Sequence, residues 1–98
     1  MVKVMIKRFI KEGNTKDVLT LLKKQRADAM NQRGHLKGET LMSYQNPHCL
    51  LVISNWQSME NWLAWKENNE RRANEKKMEQ FLASATEYDE YILGTYPI

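Results

Sequence analysis

Ninety-eight residues, 42% hydrophobic and 28% charged, make one small folded domain over residues 1–98 and exclude a disordered chain. Fifteen basic residues against twelve acidic ones leave a net charge of +3, but the signs are interspersed, as in Lys66-Glu67 and Glu75-Lys76-Lys77-Met78-Glu79, so no concentrated basic face points to nucleic acid. No apolar run approaches the roughly 18 residues of a membrane span, and the basic N-terminus lacks the apolar core of a signal peptide, which makes the cytoplasm the expected location. Cys49, His35 and His48 offer neither an internal disulfide nor zinc-ligand spacing, so no metal is expected.

Val2 to Ile10 alternates Val2, Val4 and Ile6 against Lys3, Met5 and Lys7, the pattern of a strand with one buried face, and it stops at Gly13-Asn14. Asn14 or Thr15 then caps a helix with Val18, Leu19, Leu22, Ala29 and Met30 inward and Lys16, Lys23, Lys24 and Gln25 mostly outward, ending at Gly34. His35 to Gln45 reads as a second strand with Leu36, Thr40, Met42 and Tyr44 on one face. Asn46-Pro47-His48 turns it into the apolar strand Cys49 to Trp56. Ser58 caps a tryptophan-bearing helix that continues, with a break, through Glu70 to Asn74, and a shorter helix surrounds Met78 to Ala85. Thr86 to Tyr96 closes the chain as a strand that is apolar on both faces, with Gly94 as a possible bulge.

The order β-α-β-β-α-β predicts an α+β, ferredoxin-like fold: a four-stranded antiparallel sheet with both helices on one face. The helices cover one side only, yet the first, third and last strands present apolar residues to both. An apolar face that large is not left bare on a monomer, and the expected solution is a second copy packed sheet against sheet in a two-fold homodimer.

Within ten residues the chain carries Trp56, Trp62 and Trp65, the last two side by side at a spacing of three. Such a cluster is either a core anchor or the wall of a ligand cavity. Ser54-Asn55-Trp56, Ser58-Met59-Glu60, Trp65 nine residues after Trp56, and then Glu70, Arg72 and Ala73 resemble the pattern of the antibiotic biosynthesis monooxygenase (ABM) family of dimeric α+β barrels. The resemblance covers nearly the whole chain in element order. It implies an apolar cavity in each subunit, and a function within a range from cofactor-free monooxygenases of phenolic polyketides and quinols to haem-degrading oxygenases. In the cofactor-free branch an asparagine and a tryptophan four residues later face the cavity, and Asn61 and Trp65 stand there. That branch's tyrosine six residues further on is replaced by Arg71. In the haem branch the axial histidine lies where this chain has Glu75, and the first-strand asparagine aligns with Lys7, so no haem or other cofactor is expected.

Each candidate also has a bland reading. Trp65 walls a cavity or anchors the core; Trp56, at a strand end, is structural; Asn61 holds a substrate oxygen or faces solvent in the first helical turn. His35 and His48 read as surface residues, Cys49 as a small buried hydrophobe, and Arg71-Arg72 as part of a solvated helix surface. Tyr44, Tyr88, Tyr91 and Tyr96 are ordinary strand residues, of which one or two line the space under the helices. The function expected is cofactor-independent monooxygenation of a small phenol or quinol, with Asn61 holding its oxygen and Trp65 packing on its ring. Two alternatives use the same fold: a non-catalytic homodimeric binding module for a small hydrophobic or aromatic ligand, and a dimer without ligand whose aromatics fill the interior.

Overall fold

A computed structural model describes residues 1–94. Strands β1 (Val2–Phe9), β2 (His35–Met42), β3 (Cys49–Trp56) and β4 (Glu87–Ile92) and helices α1 (Thr15–Ala29), α2 (Met59–Lys66) and α3 (Asn69–Glu79) follow one another in the order β1-α1-β2-β3-α2-α3-β4. The strands form one antiparallel sheet in the order β2-β3-β1-β4. This is the expected ferredoxin-like α+β fold, with the second helical segment divided in two.

β1 sets the geometry because it is central and its period-2 pattern runs unbroken. Val2, Val4 and Ile6 pair with Trp56, Ser54 and Val52 of β3 and point under the helices. Lys3, Met5 and Lys7 pair with Asn55, Ile53 and Leu51 on the opposite face. That face also carries Leu41 of β2 and Tyr91 of β4, both exposed, and no element of the described chain covers it. α1 lays Val18, Leu22, Gln25 and Ala29 on the other side of the sheet. Gln25 is therefore buried, not outward, because it continues the stripe Val18, Leu22, Ala29, while Leu19 and Met30 are exposed.

Ser58 caps α2 as expected, its Oγ accepting the Asn61 N–H at 3.1 Å. The helix then ends at Glu67, because the Asn68 side chain accepts from the N–H groups of Glu70 and Arg71 and starts α3 afresh. There is no helix around Met78 to Ala85: α3 stops at Glu79, and the chain extends so that Leu82 bridges to Ile10 and the Ala83 N–H donates to the Phe9 carbonyl. β2 ends at Met42, leaving Tyr44 fully solvated, and a register shift between His35 and Lys37 puts the bulge here, not at Gly94, which lies after β4. Tyr96 lies outside the described residues. No helix among the described residues is long and apolar enough to cross a membrane.

The core has two apolar clusters. One gathers Val2, Val4, Ile6, Ala29, Trp56, Trp62 and Trp65; the other gathers Ile10, Val18, Leu22, Leu50, Met78 and Leu82. Trp56 is 0% exposed and its indole N–H donates to Ser54 Oγ at 3.1 Å, so it is the structural anchor expected. Trp56→Ala should lower the unfolding free energy by about 3–5 kcal/mol. Leu63→Ala, at an exposed position, should change it by less than about 0.5 kcal/mol. Urea denaturation followed by far-UV circular dichroism checks both.

Candidate functional site

Between the sheet and the helices lies a cavity of about 50 Å³. Its apolar wall is Ile6, Leu22, Ala29 and Val52 with all three indoles, and its polar wall is Arg8, Gln25, Ser54 and Arg71. Arg26, His35, Glu39 and Thr40 form the mouth, beside the β2 bulge. The volume is room for about three to five waters, and well below the ~300 Å³ at which drug-sized pockets begin.

The polar wall is the unexpected part. Arg8 is 1% exposed and Arg71 is 3% exposed. Arg8 continues the inward phase of Val2, Val4 and Ile6, and Arg71 shares the inward stripe of α3 with Asn74 and Met78. Only Arg72 of the Arg71-Arg72 pair is solvated, 3.9 Å from Glu67. Inside, one carboxylate oxygen serves several donors: Glu75 Oε2 accepts from Arg8 Nη2 at 2.6 Å and from Gln25 Nε2 at 2.7 Å, with Arg71 Nη2 3.9 Å away. Asn74 braces Gln25 by donating to its Oε1 at 2.9 Å. Arg71 donates to the Tyr88 hydroxyl at 2.9 Å and, through a longer 3.4 Å contact, to the Lys66 carbonyl. Its guanidinium lies 5.4 Å from the ring centres of both Trp62 and Tyr88. The Nε groups of Arg8 and Arg71 are buried without a partner. Two buried guanidiniums share one partly buried carboxylate, so this set carries an excess positive charge.

Of the two site residues expected from sequence, the structure brings Trp65 to the cavity and sets Asn61 apart. Trp65 is buried and lines the wall. The indole donors of Trp56 and Trp62 are taken by Ser54 and Glu90, whereas that of Trp65 makes no hydrogen bond among the described residues. Asn61 is not among the lining residues. Its Oδ1 accepts from the Ser58 hydroxyl at 2.7 Å, and its side chain covers Gly34 so closely that a Cβ there would collide with it. Gly34 has φ +83°, and its carbonyl accepts the Gln57 N–H at 2.7 Å. Asn61 thus fixes the residue that precedes His35.

His35 is half-buried and stands edge-on to Trp56, ring centres 5.0 Å apart, rather than on open surface. Burial, helped by the charge of Arg26, pushes its pKa below the usual imidazole value, so the ring is neutral at pH 7. Glu90 is held below the usual carboxylate range by the hydrogen bond from Trp62, helped by Lys66. Glu75 occupies the place of the haem branch's axial histidine, but its carboxylate is spent on Arg8 and Gln25. Lys7 points to the uncovered sheet face, and Ile6 and Arg8 are the first-strand residues that line the cavity. Tyr88 is the described tyrosine that packs under the helices; Tyr44 and Tyr91 are exposed, and Cys49 is half-buried. No group of three or more metal-ligating side chains occurs among the described residues.

The sequence profile described as antibiotic biosynthesis monooxygenase matches residues 1–77, so the chain belongs to that family. The fold is similar to that of a putative antibiotic biosynthesis monooxygenase from Nitrosomonas europaea, with a TM-score of 0.88 at 14% identity over 98% of this chain and 91% of that one. A conserved protein from Methanosarcina mazei aligns with a TM-score of 0.87 at 16% identity over 92% of this chain and 89% of that one. SnoaB, a cofactor-independent oxygenase from Streptomyces nogalater, aligns with a TM-score of 0.81 at 10% identity over 97% and 95%. At these identities the likeness is one of fold. No curated protein sequence matches significantly.

The buried charge balance predicts an asymmetry. Glu75→Gln leaves two interior guanidiniums without a counter-charge and should cost about 3–5 kcal/mol of stability. Glu67→Gln, which removes only the surface partner of Arg72, should cost under about 1 kcal/mol. Thermal and urea unfolding of the two variants measures the difference.

Proposed function

We propose that this ABM-family protein is a cofactor-independent monooxygenase of a small phenol or quinol, working as a cytoplasmic homodimer with one cavity in each subunit. The single observation that carries the reading is donor capacity left unspent opposite aromatic walls: among the described residues the buried Nε of Arg71 has no partner, in a cavity whose facing wall is made of indoles and aliphatic groups. A phenolate or quinolate oxygen in that space meets an excess positive charge, which lowers the cost of forming the anion. The electron-rich anion reduces O₂ directly: one oxygen atom enters the ring as a hydroxyl, the other leaves as water, and a quinol giving a hydroxyquinone supplies all four electrons itself.

The roles follow from position. Trp65 packs on the ring and offers its N–H. His35, neutral and at the mouth, takes the hydroxyl proton. Asn61, pinning Gly34, acts as a positioning residue for His35. The fold likeness to SnoaB agrees with chemistry that needs no cofactor. The small cavity favours a second reading, a binding module without turnover, since about 50 Å³ is well below the ~150 Å³ that takes a benzene ring and a ring enters only if the wall moves. The homodimer is supported by the uncovered sheet face with Met5, Leu41, Leu51, Ile53 and Tyr91, which would seal against a second copy.

Oxygen uptake with hydroquinone, methylhydroquinone and catechol tests the reading. Saturable uptake is expected, and its absence across the panel leaves the binding module. Trp65→Phe should keep the fold and raise KM about 3- to 10-fold with little change in kcat, since the ring remains and the donor goes. The wild-type kcat/KM should fall on the acid side below pH 6.5, where the lowered His35 pKa finally protonates the base, and His35→Gln should remove that inflection. Sedimentation at micromolar concentration should give a dimer; a monomer removes that part of the proposal.

A further inference from the structure

The interior of this domain holds more positive charge than its own residues neutralise. Arg71, 3% exposed, lines the cavity; its Nε is buried without a partner among the described residues, its Nη1 lies at a long 3.4 Å from the Lys66 carbonyl, and its Nη2 is given to the Tyr88 hydroxyl. Among the described residues the one carboxylate within 4 Å, that of Glu75, lies 3.9 Å away and already accepts from Arg8 and Gln25 on that same oxygen. Arg8, itself 1% exposed, leaves its Nε unpartnered too. With Arg8 and Arg71 positive and the partly buried Glu75 negative, this set sums to one positive charge. At the mouth, Arg26 extends the positive path outward, and the one acid there, Glu39, is met by Lys37 at 3.7 Å.

We propose that the cavity binds its ligand through a carboxylate held by Arg71, so that the substrate class is a small hydroxylated aromatic acid. This rests on the phenol or quinol reading above and narrows it. The acid enters with a single negative charge, its carboxylate, which balances the interior, and the phenolate formed later is balanced by the His35 imidazolium that takes its proton, whereas hydrogen phosphate enters as a dianion and leaves the interior net negative. A guanidinium edge presents parallel N–H groups that match the two oxygens of a planar carboxylate. The remaining walls, Ile6, Val52, Trp62 and Trp65, are flat or aliphatic and suit one ring, and the volume excludes two. The arginines thus select the anion and the indoles select the ring.

Calorimetric titration of the wild-type protein with 2,5-dihydroxybenzoate and with its neutral isostere 2,5-dihydroxybenzamide tests this without any variant. The acid should bind at least tenfold more tightly than the amide, and inorganic phosphate at the same concentration should not displace it. Equal or tighter binding of the amide, no binding of the acid up to millimolar concentration, or displacement by phosphate overturns the proposal. Arg71→Gln should bring the acid down to the level of the amide, and Arg71→Lys, which keeps the charge but not the fork, should fall between; an undiminished preference in either folded variant also overturns it. Oxygen uptake on the same acid and on hydroquinone separates the two readings. Preferred binding of the acid with no uptake keeps the anion site and removes the monooxygenase. Uptake on hydroquinone without an acid preference does the reverse.

Discussion

The contact between Arg8 on β1 and Glu75 on α3 is the constraint around which the rest of the interior is arranged. It crosses between residues 67 positions apart in the chain and ties the central strand to the helix that roofs it. A buried guanidinium cannot be left in an apolar core without a counter-charge, and a buried carboxylate cannot be left without donors, so each fixes the other's place. Gln25 from α1 and Asn74 from α3 complete the set, the one donating to Glu75 and the other to Gln25. Sheet, first helix and third helix therefore meet at a polar knot. The apolar core is divided by it into one cluster under the tryptophans and another under Val18 and Met78.

The division explains why a cavity exists in so small a domain. Side chains that meet head to head through hydrogen bonds keep fixed lengths and angles and do not collapse onto neighbours as aliphatic groups do. Arg71 is held from the far side by Tyr88 and by the rings of Trp62 and Tyr88, which stops it from moving fully onto Glu75. Space is left between the knot and the indoles. The unpartnered Nε groups are the energetic signature of the same frustration, each about 1–3 kcal/mol of desolvation that an apolar core of equal shape would not carry.

The scaffold was legible in the sequence wherever one periodicity decides the answer. β3 occupies Cys49–Trp56 as its apolar run requires, Ser58 caps α2, and Val2, Val4 and Ile6 point inward together. The polar half of the site is hidden from a reading by chemical type and emerges only from phase. Extending the alternation of β1 two residues past Ile6 places Arg8 inside, and stepping back seven residues from Met78 places Arg71 on the same helix face. Gln25 falls in the gap of the Val18, Leu22, Ala29 stripe by the same arithmetic. The mutual neutralisation that makes such burial tolerable is invisible until the fold brings strand and helix together. The break in the tryptophan helix is expected but not located, since Asn68 caps through its side chain and no hydrophobic period marks it, while the separate helix expected from Met78 is absent because α3 runs on to Glu79. Asn61 and Trp65 share a helix face by spacing, yet the cap at Ser58 and the bare backbone of Gly34 draw the asparagine to the end of the helix while the tryptophan reaches the cavity.

The arrangement also determines where the cavity can grow. β1 is paired on both sides and pinned by Arg8, and α1 and α3 are tied by Asn74 to Gln25 and to the Leu21 carbonyl at 2.9 Å each. The indoles of Trp56 and Trp62 are fastened by their own hydrogen bonds. The wall formed by β2 differs: it is an edge strand bonded only to β3, interrupted by a bulge at His35 to Lys37, and it offers the cavity Gly38 and the exposed Thr40. Local stability is low where backbone pairing is one-sided and apolar burial is slight, as in the two edge strands, and of these β2 is the one that lines the cavity. Under the proposed function, a ring would enter by displacing β2 and not the charged knot, and the segment that moves would carry the proposed base, next to Gly34, which Asn61 covers.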